Sequence, residues 1–112
     1  MDSIRQNKIS KVLLKEIGPL LQKSFTHLYS GSLATVTVVR ISPDLSIAKV
    51  YVSVFGGSAP EKVIDNLKDE QKEIRLRLGR IIKNQIRKIP ELHFYLDDSA
   101  EKASRIEELL KK

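Results

Sequence analysis

Residues 74–90 read IRLRLGRIIKNQIRKIP, a stretch in which apolar and basic side chains recur at helical spacing. A helical wheel with about 100° per residue separates the two kinds of side chain onto opposite sides. The apolar side carries Ile74, Leu78, Ile81, Ile82 and Ile89. The basic side carries Lys72, Arg80, Lys83 and Arg87, with Arg75 and Arg77 at its edges. The pattern predicts a helix that packs on a core, presents a basic surface and ends before Pro90.

The charge of this stretch is not neutralised within it, because Glu73 is the only acidic residue nearby. A charged helix face is commonly just solvated, but solvated faces usually mix both signs. A stripe of one positive sign is typical of nucleic-acid binders. The whole chain has a net charge of +6 and a pI of about 9.7, which favours an anionic partner, either a nucleic acid or an anionic membrane surface.

Composition predicts one soluble globular domain over residues 1–112, with 41% apolar and 30% charged residues. The absence of cysteine excludes disulfides and thiol chemistry. No apolar run approaches the roughly 20 residues that a membrane helix needs. Residues 1–11 lack the apolar segment of a secretory signal, so we expect a cytoplasmic protein.

Residues before the basic stretch predict a helix followed by a β-hairpin. Asp2 or Ser3 would cap the helix, which Pro19 would kink and which would end near Ser24. Its apolar face carries Ile9, Leu13, Ile17 and Leu20, and its opposite face carries Lys8, Lys11 and Lys15. Residues 34–41 and 47–55 are rich in β-branched side chains and flank the turn sequence Ser42-Pro43-Asp44-Leu45. These segments predict an antiparallel hairpin with one polar face open to solvent.

The remaining segments complete a mixed α+β pattern. Ser58 would cap a second helix over about residues 59–69, and residues 68–72 would form a joint to the basic helix. Residues 92–96 predict a third strand, and Asp98 would cap a last helix whose apolar stripe carries Ala103, Ile106, Leu109 and Leu110. The order α-β-β-α-α-β-α predicts a three-stranded mixed sheet with helices on one face. If two helices reverse the chain twice, the third strand lies beside the first and parallel to it.

Residues that could carry chemistry do not form a catalytic or metal-binding set. His93 beside Asp97 and Asp98 could act in acid–base catalysis, but the two aspartates are better explained as helix caps. Metal-ligand spacing is absent, and the Gly56-Gly57 turn, which could cradle a phosphate, lacks a following lysine. Tyr51, Tyr95 and His93 on the open sheet face could stack RNA bases or form an ordinary surface.

Several segments in this order resemble the ribosome-binding factor A family. The resemblance rests on the pattern around Arg5 and Lys8 and on residues 39–45 and 48–54 of the hairpin. It also rests on these later pieces: Ile74-Arg75, Leu78-Gly79-Arg80, Pro90-Glu91-Leu92, Phe94, Asp97, Ser99, Arg105-Ile106 and Leu109-Leu110. It implies a type II KH-like fold that lacks the GxxG loop of ordinary KH domains. The family carries an Ala-x-Gly at a kink between two helices, whereas this chain carries Glu70-Gln71-Lys72 there.

The resemblance implies a non-enzymatic factor that binds precursor small-subunit rRNA and assists late maturation of the small ribosomal subunit. We expect a monomer without cofactor, and neither DNA nor membrane as a partner. Positive charge for RNA binding would come from Arg75, Arg77, Arg80, Lys83, Arg87 and Lys88, with Lys72, Arg5, Lys8, Lys11 and Lys15. The alternatives are a generic KH-like RNA-binding protein and a basic module that binds an acidic protein.

Overall fold

The computed structural model describes residues 3–29, 31–57 and 60–97, which form helices packed on one face of a mixed sheet. The elements are α1 (Ile4–Ser24), a 3₁₀ helix (Thr26–Tyr29), β1 (Leu33–Ile41), β2 (Ile47–Phe55), α2 (Pro60–Asp69), α3 (Gln71–Ile82) and β3 (Glu91–Leu96). The α+β class and the predicted order up to β3 are confirmed. The proposed caps Asp2, Ser58 and Asp98 and the predicted last helix lie outside the described residues.

Helix α1 is capped and anchored by side chains near its ends. Ser3 and Gln6 form a capping box, in which the Gln6 amide N–H donates to Ser3 Oγ and the Ser3 amide N–H donates to Gln6 Oε1. The Gln6 side chain also donates to the carbonyl of Ile41, and the Gln22 side chain donates to that of Ala34, each over 2.8 Å. The helix continues through Pro19, as predicted. The two glutamine bonds fix α1 antiparallel along β1.

Strands β1 and β2 form the predicted hairpin, with Val39 opposite Val50. A bulge leaves Thr37 outside the ladder, and its hydroxyl donates to the Asp97 carboxylate over 2.5 Å. The turn closes through a hydrogen bond of 2.9 Å from the Leu45 amide N–H to the carbonyl of Ser42. The hairpin thereby places this turn beside the first residues of α1.

Strand β3 pairs with β2 in parallel, so the predicted place beside β1 was wrong. The cause lies at Glu70, which alone separates α2 from α3. Backbone hydrogen bonds run through this joint, from the Glu70 N–H to Asn66 and from the Ile74 N–H to Glu70. The two helices therefore act as one bent crossover that carries the chain back to the end of the sheet where β2 begins, as parallel strands require. Glu70 has φ −98° and ψ 10°, which needs neither alanine nor glycine.

Helix α3 buries a narrower stripe than the sequence predicted. Ile74, Leu78 and Ile82 are buried at four-residue spacing, whereas the predicted core residue Ile81 is 46% exposed. Ile81 lies at the margin of the wheel, about 100° from Ile82. Gly79 allows close packing, since a Cβ there would lie 3.3 Å from Ile89. Other buried side chains include Leu13, Ile17, Val50, Val52, Val63, Leu67 and Phe94.

The predicted continuation of the basic helix to Ile89 was also wrong, because α3 ends at Ile82. The chain then forms a turn in which the amide N–H groups of Gln85 and Ile86 both donate to the carbonyl of Ile82. Strand β3 begins with a hydrogen bond from Glu91 to the carbonyl of Ser46, at the far end of the hairpin turn. Residues 83–90 therefore return to the sheet and cannot extend along the helix axis.

Candidate nucleic-acid interface

The predicted RNA-binding residues lie on three separate segments. Helix α1 carries Arg5, Lys8, Lys11 and Lys15; helix α3 carries Lys72, Arg75, Arg77 and Arg80; the segment after α3 carries Lys83, Arg87 and Lys88. All are exposed except Arg75, which is half-buried. Since α3 ends at Ile82, the cations from Lys72 to Arg87 do not form the single helical stripe that the sequence predicted.

Four of these side chains surround one cleft, which we call the basic cleft. It lies between the first half of α1, the β1–β2 turn and residues 84–88, and its volume is about 690 Å³. The four, which we call the cleft cations, are Arg5, Lys8, Arg87 and Lys88. The remaining lining residues are Ile9, Val12, Asp44, Leu45, Asn84, Gln85 and Ile86. Two segments distant in sequence thus supply positive charge to one concave surface.

Among the residues that the structure describes, Asp44 is the only acidic one that lines the basic cleft. Its Oδ1 accepts hydrogen bonds from the hydroxyl and the amide N–H of Ser46 and from the hydroxyl of Ser42, over 2.7–3.1 Å. These hydrogen bonds lower the pKa of Asp44 to about 2. The bond from the Ser42 hydroxyl has the largest effect, and the bonds from the hydroxyl and the amide N–H of Ser46 come next. Asp44 is therefore ionised at neutral pH, and four cations face one carboxylate.

We expect Asp44→Ala to destabilise the protein at neutral pH and not in strong acid. The pKa of Asp44 is lower in the folded chain than its ordinary value of 3.8, so folding favours the ionised form. Its contribution is complete above the unfolded pKa and disappears as the pH falls through about 2. Thermal unfolding of both proteins from pH 7 to pH 2 measures this difference. Asp69→Ala, which removes an exposed carboxylate from α2, is the control; a difference that persists unchanged at pH 2 contradicts the assignment.

Arg75 contacts the chain itself and so differs from the other predicted RNA-binding residues. Its Nη2 donates to the carbonyl of Ile89 over 2.6 Å, and its Nε lies 3.2 Å from the carbonyls of Ile89 and Pro90. These bonds tie α3 to the chain that enters β3. The structure thus gives Arg75 a role in the fold, which the sequence pattern did not indicate.

Replacing Arg75 by methionine is expected to lower the free energy of unfolding by about 1.5–3 kcal/mol, because hydrogen bonds from a charged donor are lost and carbonyls lose their partner. Arg80→Met removes the same charge from an exposed position of α3 and should change stability by less than about 0.5 kcal/mol. Urea unfolding of both variants measures the difference. Equal stability of the two variants would show that the Arg75 bonds do not stabilise the fold.

Arg77 also has contacts within the molecule. Its Nε lies 3.0 Å from Glu73 Oε1, and its guanidinium carbon lies 5.2 Å from the centre of the Phe25 ring. Lys11, Lys15, Lys72, Arg80 and Lys83 are exposed, and among residues 3–29, 31–57 and 60–97 none of these five forms an ion pair. Their charge is available to a partner, but they do not line the basic cleft.

The other candidate features have structural explanations or remain ordinary surface. Tyr51 and Tyr95 share one sheet face, as their alternation predicted, and their rings stack with centres 5.5 Å apart because β3 pairs with β2. His93 Nε2 lies 3.5 Å from Glu91 Oε1, and the described part of the chain holds no cluster of three residues suited to a metal ion.

The Gly56-Gly57 turn packs against another segment, because a Cβ on Gly57 would lie 2.8 Å from the backbone of residues 31–32. Among the described residues no helix has the length and apolar character of a membrane span.

Sequence reasoning missed the cleft residues that do not carry charge. Asn84 and Gln85 were assigned to a helix, although asparagine in the middle of that run is a weak signal for a helix end. Leu45 has φ 65°, a conformation that leucine rarely adopts and that its identity does not predict. The cleft itself depends on the return of residues 83–90 to the sheet, which has no local signature.

Comparisons with known proteins identify one family and several relatives that resemble this chain. The family described as Ribosome-binding factor A matches residues 5–110. A protein named Ribosome-binding factor A from Chlorobium phaeobacteroides is 48% identical over 111 residues, which cover 97% of this chain and 93% of that protein. The crystal structure of ribosome-binding factor A from Thermus thermophilus aligns with a TM-score of 0.68 and 25% identity, over 81% of this chain and 93% of that one.

A second set of coordinates for the Thermus thermophilus factor shares the fold. It is a homology model of the Thermus thermophilus factor, fitted into a cryo-electron microscopy map of its complex with the 30S subunit. It aligns with a TM-score of 0.58 and 24% identity, over 88% of this chain and 97% of that one. At this identity the alignment bears on the fold alone.

Proposed function

This chain belongs to the ribosome-binding factor A family, and we propose that it binds precursor rRNA of the small ribosomal subunit and assists late maturation of that subunit. The observation that carries the proposal is the basic cleft, where cations from two segments converge. Cations contact phosphates and so position a protein on a nucleic acid, and a cluster of them on one surface is typical of nucleic-acid binders. The name of the family and the complex of the Thermus thermophilus factor with the 30S subunit make the small subunit the proposed partner.

The proposed mechanism is binding without bond chemistry. A factor that binds one conformation of an immature rRNA region more tightly than another shifts the population toward the first. The shift is limited by the difference in affinity between the two conformations, so the contacts must distinguish them. We propose that the protein acts in this way in the cytoplasm, as a monomer and without a cofactor, with the cleft cations supplying the first contacts and the exposed cations of α1 and α3 supplementing them.

Sedimentation of the protein with purified small subunits across a salt series tests the proposal. We expect selective association that weakens steeply between about 50 mM and 200 mM salt, because each phosphate contact releases condensed counterions. Large subunits and an unrelated RNA of matched length are the controls. Equal affinity for all three would indicate a generic RNA-binding protein, and binding that survives nuclease treatment would indicate an acidic protein partner.

The role in maturation requires a separate test in cells. Depletion of the protein is expected to cause accumulation of precursor small-subunit rRNA, and expression of the intact chain should reverse it. A variant that sediments with small subunits but fails to reverse the accumulation would separate binding from maturation. Normal rRNA processing in depleted cells would contradict the proposed role.

A further inference from the structure

The basic cleft combines a cationic rim with an apolar floor. Ile9 and Val12 of α1 and Leu45 of the hairpin turn lie half-buried between the cleft cations, and Ile86 is buried. A surface that contacts only phosphates needs no apolar floor. Sites for single-stranded RNA pair positive charge along the backbone with side chains, commonly aromatic, on which a base stacks. In this cleft aliphatic side chains would supply that surface. The cleft volume of about 690 Å³ falls within the range of roughly 300–1,000 Å³ that is typical of small-ligand sites.

Leu45 lines this floor with a backbone conformation that leucine rarely adopts. Its φ of 65° lies in the left-handed region, where glycine and asparagine are favoured and leucine is rare. The side chain is half-buried, packs against the edge of the core and lines the cleft. The turn therefore presents an apolar side chain to the cleft at a position where a small polar residue would suit the backbone better.

Asn84 and Gln85 add a third kind of group to the lining. Their side-chain amides carry both hydrogen-bond donors and acceptors, which is what the edge of a nucleobase presents. Both residues are exposed in the cleft wall. Cations, an apolar floor and amides thus correspond to the phosphate, the face and the edge of one nucleotide.

We propose that the basic cleft receives one unpaired nucleotide of an RNA strand. Its base lies on Ile9, Val12 and Leu45, and the adjoining phosphates contact the cleft cations. The inference rests on the proposed function in that the strand belongs to small-subunit rRNA. It adds a preference for a nucleotide that is free of base pairing, which a purely electrostatic surface would not show.

The test compares binding of a single-stranded RNA of about ten nucleotides with binding of the same sequence as a duplex. Leu45→Asn suits the left-handed backbone and removes the apolar floor, and Val12→Thr keeps the shape of the side chain and adds a hydroxyl. Each variant changes one of the three apolar side chains under the base, so it is expected to raise the Kd for the single strand by roughly 3- to 10-fold, less than the full effect of losing one stacked base. The Kd for the duplex should not change. Leu14→Asn, on α1 outside the cleft, is the matched control and should bind as the unaltered chain does.

Two further measurements separate the possible outcomes. Crosslinking of the unaltered chain to 4-thiouridine RNA should label residues 9–12 and 84–88, and this result does not depend on the folding of any variant. An unchanged Kd for Leu45→Asn and Val12→Thr, equal weakening of single strand and duplex, or stronger competition by polyglutamate than by single-stranded RNA would overturn the proposal. Sedimentation of the unaltered chain with small subunits tests the proposed function alone. If the chain associates with small subunits but both variants bind the single strand with an unchanged Kd, the nucleotide site is refuted and the proposed function is not.

Discussion

An alanine variant of all four cleft cations is expected to bind the small subunit roughly 100- to 1,000-fold more weakly than the unaltered chain at about 0.1 M salt. Each cation that neutralises a phosphate contributes about 0.7 to 0.9 to the slope of log affinity against log salt. Loss of four contacts should therefore reduce that slope by about 3. Filter binding or sedimentation at several salt concentrations gives both quantities from the same titration.

The control for this prediction removes the same charge from elsewhere. The control uses four of the exposed cations that lie outside the cleft and are not among the predicted RNA-binding residues: Lys23, Arg40, Lys49 and Lys62. Their alanine variant lowers the net charge of +6 by the same amount. We expect a much smaller loss of affinity, because dispersed surface charges contribute mainly through the screened long-range field. Equal losses in the two variants would mean that net charge alone governs binding.

A third variant, with alanine at Lys72, Arg80 and Lys83, distinguishes the cleft from the exposed row of cations on α3 and directly after its end. The sequence pattern placed that row at the centre of the proposed interface, whereas the structure places it outside the cleft. Because this variant removes three cations and the cleft variant four, the reduction of the salt slope is compared per cation, and a smaller reduction per cation than in the cleft variant supports the cleft as the main contact. A larger reduction per cation would indicate that the main contact lies on α3.

Patterns within one segment predicted well because they depend on local rules. The three-residue and four-residue spacing of apolar residues in α1 and the alternation in β2 follow from how side chains project from each element. The shared sheet face of Tyr51 and Tyr95 was predictable for the same reason. These rules assign a residue to a face without reference to the rest of the chain.

Features that depend on distant segments were not predictable from the sequence pattern. The position of β3 follows from whether the joint at Glu70 reverses the chain or only bends it, and the residues there suit both outcomes. The end of α3 follows from the path back to Ser46, although the apolar spacing continues to Ile89. The role of Arg75 follows from that return path, so one long-range constraint changed both the fold and the candidate site.

The Gly57→Ala variant is expected to lose about 3–4 kcal/mol of unfolding free energy, a large part of the 5–15 kcal/mol that is typical of domains. Gly57 has φ 62°, and a Cβ there would lie 2.6 Å from the hydroxyl oxygen of Ser32 and 2.8 Å from the backbone of residues 31–32. The left-handed backbone alone costs an alanine about 1–2 kcal/mol. The remainder comes from the overlap with backbone atoms that cannot move aside independently.

Gly56 provides the matched control, because its φ of 67° is similar and a Cβ there would meet nothing within 4 Å. Gly56→Ala should therefore lose only about 1–2 kcal/mol, and the difference between the two variants in urea unfolding isolates the overlap. Both glycines lie at the end of the hairpin opposite the Ser42–Leu45 turn, so folded molecules of either variant should keep the subunit affinity of the unaltered chain. Equal stability of the variants would contradict the packing of Gly57 on Ser32, and reduced affinity in the folded protein would show that the two ends of the hairpin are coupled.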